Sequence, residues 1–388
     1  MKDLCEKYAA KLLAQGLASS EDAPLIGGLD AELVWNREDP RTEVLAGLFD
    51  RLSINSLVFS RPAKPYQTIL DFLAERWRGT IRPEDTETRT FLHDIPVCRE
   101  FTADAMGAQL KKRKVVVLPG LGVVSCGSVS PEQGFVYLSS ALFSCFVLFF
   151  SEYLNRIRQG TLDHGYRAAF ERAVSLLPAP RTAPPALAPA PLDTEEKALT
   201  AIFEAGRQVV GHGLVDSFFG NISLRLGDTI LISQTGSSLD ELEGCVDPCP
   251  MDGSATTGLT ASSELTAHED VYRRSDSTCI LHGHPRFTVI MSMDCAKADC
   301  PNRGECHIRC TECRTVDGVP IVPGEVGTGP TGLCNTLPPA MASEGAAIVH
   351  GHGLFTAGTA DFNEPFARLL DIENRCRELY FERIAEYA

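Results

Sequence analysis

Three histidines carry the chemistry that is easiest to name. His282 and His284 stand two apart in ILHGHPRF, and His352 follows in IVHGHG. The apolar run before the pair predicts a strand, whose side-chain period of two puts both imidazoles on one face. A second buried strand is predicted to end at His352. Three imidazoles meeting there would hold a divalent metal and leave one position open to water or substrate, as catalytic zinc sites do. Taken alone, H-x-H also fits a structural histidine pair. His350, two before His352, is a further candidate for the same site.

The elements that must position these side chains come from patterning. A chain of 388 residues predicts two domains. Residues 177–192 are a Pro/Ala run (LPAPRTAPPALAPAPL) whose prolines deny helix and sheet hydrogen bonds, so an extended tether is expected there. The predicted domains are therefore residues 1–176 and 193–388, the second opening with a helix from Thr194-Glu195-Glu196 to about Gly211. Residues 134–150 carry no charge, yet they are short for a membrane span and hold three serines. Phe135, Leu138, Leu142, Cys145 and Phe149 recur at helical spacing, which predicts a buried core helix.

The two halves resemble each other. VVVLPGLGVVSCG ends at Gly127 and AAIVHGHGLFTAG at Gly358; both read as a buried strand followed by G-x-G, two apolar residues, a small hydroxyl residue, a small residue and Gly, and both lead into a long apolar-periodic helix. SINSLVFSRP lies over SDSTCILHGHP upstream. The chain thus reads as a duplication, although strand-turn-helix punctuation can also match by coincidence. Ser60, Pro62 and Leu121 stand where the second half has His282, His284 and His352, so the first copy is expected to be degenerate and metal-free. Neither G-x-G turn meets the dinucleotide fingerprint, since the next glycine comes five residues on rather than three.

Five ordered motifs go further. GHGLVDSFFGNISLR (211–225), LISQTGSSL (231–239), TASSELTAHEDVY (260–272), ILHGHP and IVHGHGLFTAG (348–358) resemble the class II aldolase/adducin family in residues, order and spacing. The resemblance implies an α/β fold, a three-layer α/β/α domain with a central, largely antiparallel sheet. It implies Zn2+ or another divalent metal on His282, His284 and His352, with Glu264 as the catalytic acid/base. It places a phosphate cradle at Asn221, Thr235, Gly236, Ser262 and Ser263, and a helper tyrosine in the C-terminal tail at Tyr380 or Tyr387. His268, one helical turn after Glu264, is expected to be structural or to support the site from behind. The implied activity is that of a zinc-dependent lyase: reversible aldol cleavage of a small sugar or sugar-phosphate through a metal-stabilised enediolate. Epimerase or dehydratase chemistry on the same metal, and a non-catalytic adducin-like interaction module, are the alternatives. The chemistry agrees: cleavage beside a ketone leaves an enediolate whose charge a dication stabilises, and a carboxylate must then move the proton. Family enzymes form rings with sites at subunit boundaries, so a homodimer or higher homo-oligomer is expected.

Two compositional features complete the picture. Cys295, Cys300, Cys306, Cys310 and Cys313, with His307, crowd one polar stretch and suggest a second metal centre, either zinc or an iron–sulfur cluster. The spacing matches no assigned pattern, and reduced thiols or disulfides would fit it as well; Cys245 and Cys249 could join the group. The opening Met1-Lys2-Asp3 lacks an apolar signal, which predicts a reducing, cytoplasmic setting. A formal charge of −15 argues against nucleic acid or anionic membrane as partner and leaves a small hydroxy-carbonyl or phosphorylated substrate open.

Overall fold

The computed structural model describes residues 1–215, 218–254, 260–297, 299–325 and 327–387. Two compact units result, Met1–Pro178 and Ala179–Ala388. In the first unit the strands are β1 (Leu25–Leu29), β2 (Leu33–Trp35), β3 (Ser56–Ser60), β4 (Thr80–Ile81), β5 (Ile95–Pro96), β6 (Val115–Leu118) and β7 (Gly122–Gly127). Five of them form an antiparallel sheet in the order β2-β1-β3-β7-β6, while β4 and β5 pair separately. The uncharged stretch lies within a helix, Pro131–Arg158, with proline in its first turn. It packs on β7 and β3, and Phe135, Leu138, Leu142, Cys145 and Phe149 are all buried. Enclosure by its own unit accounts for an apolar helix of this length.

The second unit holds β8 (Asn221–Leu226), β9 (Thr229–Ser233), β10 (Val246–Pro250), β11 (Cys279–Gly283), β12 (Arg314–Val316), β13 (Val319–Val322), β14 (Ala346–Val349) and β15 (Gly353–Gly358). The sheet order is β10-β9-β8-β11-β15-β14-β13-β12, antiparallel except where β13 meets β14. Alternation along the strands decides the layers. Phe355 and Ala357 of β15 join a core with Ile230, Ile232 and Ile280, against Val271 and Leu337 of the helices Leu265–Arg274 and Leu333–Glu344. Thr356, between them in sequence, points the other way and donates to Pro365 O at the start of the C-terminal helix Asn363–Tyr387. Helices therefore cover both faces of a largely antiparallel sheet.

The Pro/Ala run is no free tether. It belongs to the second unit from Ala179, where Leu187 N donates to Asn363 Oδ1 (2.9 Å), Ala188 N to Glu204 Oε2 (2.8 Å) and Ala190 N to Asp361 Oδ2 (2.9 Å). Prolines removed the helical option, and side chains of the folded unit took up the remaining N–H groups. Thr194 caps the helix Glu195–Gly211 through Lys197 N, as its sequence predicts.

The two sheets share a register. Read from the glycine that ends each long hairpin, Ser56 pairs with Gly127 and Cys279 with Gly358. Side-chain bonds coincide as well: Ser56 Oγ donates to Ser130 O (2.6 Å) and Cys279 Sγ to Asp361 O (2.9 Å), while Ser125 Oγ and Thr356 Oγ1 donate to Gly134 O and Pro365 O. This register corrects the sequence comparison by one residue. Phe59 and Arg61, rather than Ser60 and Pro62, stand at the places of His282 and His284; Leu121 keeps the place of His352.

Candidate metal centre

His282 is the fourth residue of β11, paired with Asn221 on one side and Phe355 on the other, so the three side chains form a row on one face. Its ring stacks on Phe355 with centroids 3.8 Å apart and planes 10° apart. Nδ1 lies 3.1 Å from Leu354 O, an acceptor, so Nδ1 carries the proton and Nε2 presents a lone pair inward. β11 ends at Gly283, yet His284 turns its Nε2 to within 3.1 Å of His282 Nε2, with its ring stacked on Phe219. His352 sits in the turn between β14 and β15, its Nε2 3.3 Å from that of His282. Ser292 steadies this turn by accepting from Gly351 N at 2.8 Å.

Close approach of the strands makes the triad possible. A Cβ on Gly353 would lie 2.3 Å from Gly283 O and 2.8 Å from His282 Cε1. Gly353→Ala is expected to cost about 1–3 kcal/mol of stability and to weaken metal binding, because β15 must move off β11. Thermal unfolding and metal titration of the variant check this; wild-type values in both would contradict it.

All three imidazoles are buried. Burial, with the neighbouring histidines adding to it, pushes His282 and His284 well below the ordinary histidine range, so both are neutral and basic toward a cation. Inward lone pairs 3.1–3.3 Å apart repel one another unless a cation lies between them, and this donor set suits a divalent ion. Among the described residues, this is the one group of three or more His, Cys, Asp or Glu side chains placed to share an ion.

Glu264 closes the site. It stands just before the helix Leu265–Arg274, 5% exposed, with Oε2 3.5 Å from His282 Nε2 and Oε1 3.6 Å from His352 Nε2. Oε2 accepts from Asn221 Nδ2 at 2.6 Å, whereas Oε1 has no hydrogen-bond donor. A buried carboxylate with one oxygen held and one bare beside three imidazoles is equipped to take up and return a proton.

Residues 200–380 match the family described as Class II Aldolase and Adducin N-terminal domain. That match covers just under half of the chain. Methylthioribulose-1-phosphate dehydratase from Granulibacter bethesdensis is 33% identical over 111 residues, 27% of this chain and 51% of that protein. The chain thus spans about half the length of that relative. A 3,4-dihydroxyphthalate decarboxylase from Arthrobacter keyseri is 29% identical over 176 residues, 42% of this chain and 70% of that protein. Among solved structures, the l-fuculose-1-phosphate aldolase from Thermus thermophilus is 22% identical with a TM-score of 0.40, over 49% of this chain and 96% of that one. YgbL from Klebsiella pneumoniae is 20% identical with a TM-score of 0.38, over 50% and 99%.

Other expected residues of the aldolase domain fall into place unevenly. Thr235 and Gly236 follow β9, and Thr235 N donates to Thr260 O while Ser262 N donates to Ser233 O, so the T-G and S-S-E segments run side by side. Ser262 is buried and Ser263 exposed. Asn221 departs from the cradle: Nδ2 goes to Glu264, and Oδ1 lies 2.6 Å from His268 Nε2, which commits the amide to the carboxylate. His350 is not part of the triad. Its backbone N bonds Val322 O, and burial together with Arg314 and His307 pushes it down to about 4. Tyr380 is fully buried against Phe287 and Phe381, in the core rather than at the site, while Tyr387 is exposed.

The second metal centre is corrected. Cys295, Cys300, Cys306, Cys310 and Cys313 form no disulfide, and among the described residues no three of them converge on a common point. Cys249 lies in the apolar core. Spacing counts donors and says nothing of their directions: Cys306 opens a one-turn helix and turns its Sγ toward Asn302 O, while Cys313 is exposed just before β12.

Sequence reasoning missed Glu373. Its half-buried carboxylate accepts from Phe287 N (2.9 Å), Thr288 N (2.8 Å) and Thr288 Oγ1 (2.8 Å), capping the helix Arg286–Met293 that begins two residues after His284. Burial pushes this group upward against those three donors. The cap comes from the C-terminal helix, so no local motif could reveal it.

Proposed function

We propose that the aldolase domain is a metal-dependent lyase that cleaves a carbon–carbon bond in a small hydroxy-carbonyl compound, a sugar or sugar-phosphate. The observation that carries this is the bare Glu264 oxygen beside three converging histidines. When bound, a divalent cation would supply the positive charge that stabilises the enediolate left by cleavage. Glu264 Oε1 takes the proton from the hydroxyl on the carbon being released, so that the C–O bond becomes a carbonyl as the C–C bond breaks. The same proton then returns to the enediolate carbon. Burial keeps water away from that exchange. Thr235, Gly236, Ser262 and Ser263 lie on adjoining segments that can offer hydroxyl and N–H groups to an anionic end of the substrate.

Dehydration is the second reading, favoured by likeness to a methylthioribulose-1-phosphate dehydratase. The same pair, metal and carboxylate, would then expel water instead of a carbon fragment. Product analysis with ketoses and ketose phosphates separates the two: two carbonyl fragments support cleavage, and loss of water supports dehydration. No turnover with the metal bound would favour an interaction module.

We further propose that the N-terminal unit is a metal-free copy of the same fold. The shared strand register and side-chain bonds support it. Leu25, Phe59, Arg61 and Leu121 occupy the positions of Asn221, His282, His284 and His352. Arg41, at the start of the helix Thr42–Ala46, stands where Glu264 starts its own; its guanidinium lies 4.9 Å from the Phe59 ring and pairs with Asp22 and Asp39. An internal cation already fills the place. One metal per chain is the expected result of elemental analysis, and two would contradict a single site. A homodimer of such two-unit chains accompanies this proposal, and a monomer by light scattering would refute it.

A further inference from the structure

We infer that Tyr272, Ser223 and His268 are positioning residues for Glu264, acting in series through Asn221. This rests on Glu264 being the acid/base of the site. Glu264, His268 and Tyr272 recur every four residues on one helix face, and Asn221 and Ser223 every two on one face of β8. Four helical residues rise about 6 Å and two strand residues about 6.6 Å, so the two rows interlock as rungs. Asn221 fits between Glu264 and His268, and Ser223 between His268 and Tyr272.

Every contact in the ladder has one permitted direction. Glu264 Oε2 accepts, so Asn221 Nδ2 donates (2.6 Å). The amide therefore turns Oδ1 to His268, whose Nε2 must carry the proton (2.6 Å). A neutral imidazole then accepts at Nδ1, and Ser223 Oγ donates to it (2.7 Å). Tyr272 OH in turn donates to Ser223 Oγ (2.6 Å). All five side chains are buried, so no solvent molecule can replace a rung. A flipped Asn221 would set its carbonyl against the carboxylate. By excluding that, the ladder keeps Oε2 occupied and leaves Oε1 facing the histidines.

The fold itself does not require these polar groups. In the shared strand register, the N-terminal unit has Leu25 and Gly27 at the positions of Asn221 and Ser223; counted from Arg41, Leu45 and Phe49 fall at those of His268 and Tyr272, Phe49 just past the end of the helix Thr42–Ala46. Leu25 and Leu45 lie in an apolar core there, with Phe49 packed against it. Apolar residues fill this region of the N-terminal unit, beside the helix that Arg41 starts. Polar rungs accompany the carboxylate.

The test pairs two measurements. Nitrogen-15 NMR of wild-type protein at pH 7 is expected to show His268 protonated at Nε2 and bare at Nδ1; the opposite tautomer would overturn the ladder outright. Cobalt(II) loading of variants then reads its effect on the site. His268→Gln keeps an amide N–H where Nε2 stands, whereas His268→Asn cannot reach Asn221. The visible cobalt spectrum of His268→Gln is expected to match wild type, and that of His268→Asn to shift in the direction of Glu264→Gln. A wild-type spectrum for His268→Asn, with Glu264→Gln shifted, would overturn the positioning role. An unshifted Glu264→Gln with undiminished turnover would instead refute the acid/base reading, and the tautomer would still decide the ladder.

Discussion

Glu264→Gln is expected to leave metal content near wild type and to lower turnover about 10²–10⁴-fold, the range spanned by loss of a positioned acid/base. The amide keeps the volume of the carboxylate at a position that is 5% exposed, and its oxygen can still accept from Asn221 Nδ2. What it loses is a basic oxygen at the place of Oε1, 3.6 Å from His352 Nε2. The three histidines keep their geometry, since His282 is held by Leu354 O and Phe355 rather than by Glu264. Metal content by elemental analysis and turnover of a cleaved substrate, taken on the same preparation, check both halves. Undiminished turnover would remove Glu264 from proton transfer, and loss of metal would make it a ligand first.

Acid is expected to unfold the metal-free C-terminal unit well before it exhausts ordinary carboxylates. Burial holds His268 down to about 3 from an ordinary value of 6.5. Below pH 6.5 the unfolded chain therefore binds a proton that the folded chain refuses, so stability falls as pH drops from 6.5 toward 3 and is flat above 6.5. At pH 5 His268 alone removes about 2 kcal/mol. His282 and His284, pushed down by the same burial, act in the same direction. Against a total of about 5–15 kcal/mol, this is a large share. Urea unfolding between pH 8 and 5 measures it, with the midpoint expected to fall below pH 6.5. His268→Gln, which removes one proton acceptor, is expected to flatten the fall. A midpoint unchanged from pH 8 to 5 would show that these histidines are not held neutral by the fold.

Much of the site was legible because its residues sit in local motifs. H-x-H before a proline, S-S-E before a helix and G-x-G in a hairpin each declare a donor and the turn that presents it. Their meeting was inferred from resemblance, and the structure places His282, His284, His352 and Glu264 within 3.1–3.6 Å of one another along the chain of contacts they form. The cysteine stretch shows the converse. Five thiols close in sequence suggest a shared centre, yet among the described residues no three of them converge. The proposed duplication reads from the sequence with a one-residue slip against the strand pairing, because apolar strands such as SLVFS and CILHG align almost equally well in two registers. Only the cross-strand pairs Ser56–Gly127 and Cys279–Gly358 choose between them.

From the sequence alone came the donor types, the elements that carry them and the family of residues 200–380. Side-chain chemistry and backbone period are local properties, and a local pattern suffices to express them. The tertiary structure decided which atoms face one another. Asn221 turned from an expected anion contact to Glu264; Glu373 reached from the last helix to cap the one after His284; and His268 became a rung between Asn221 and Ser223. Each of those choices depends on how one element lies against another that is distant in the chain, such as the rise of a helix against the rise of a strand, a quantity that no single segment contains.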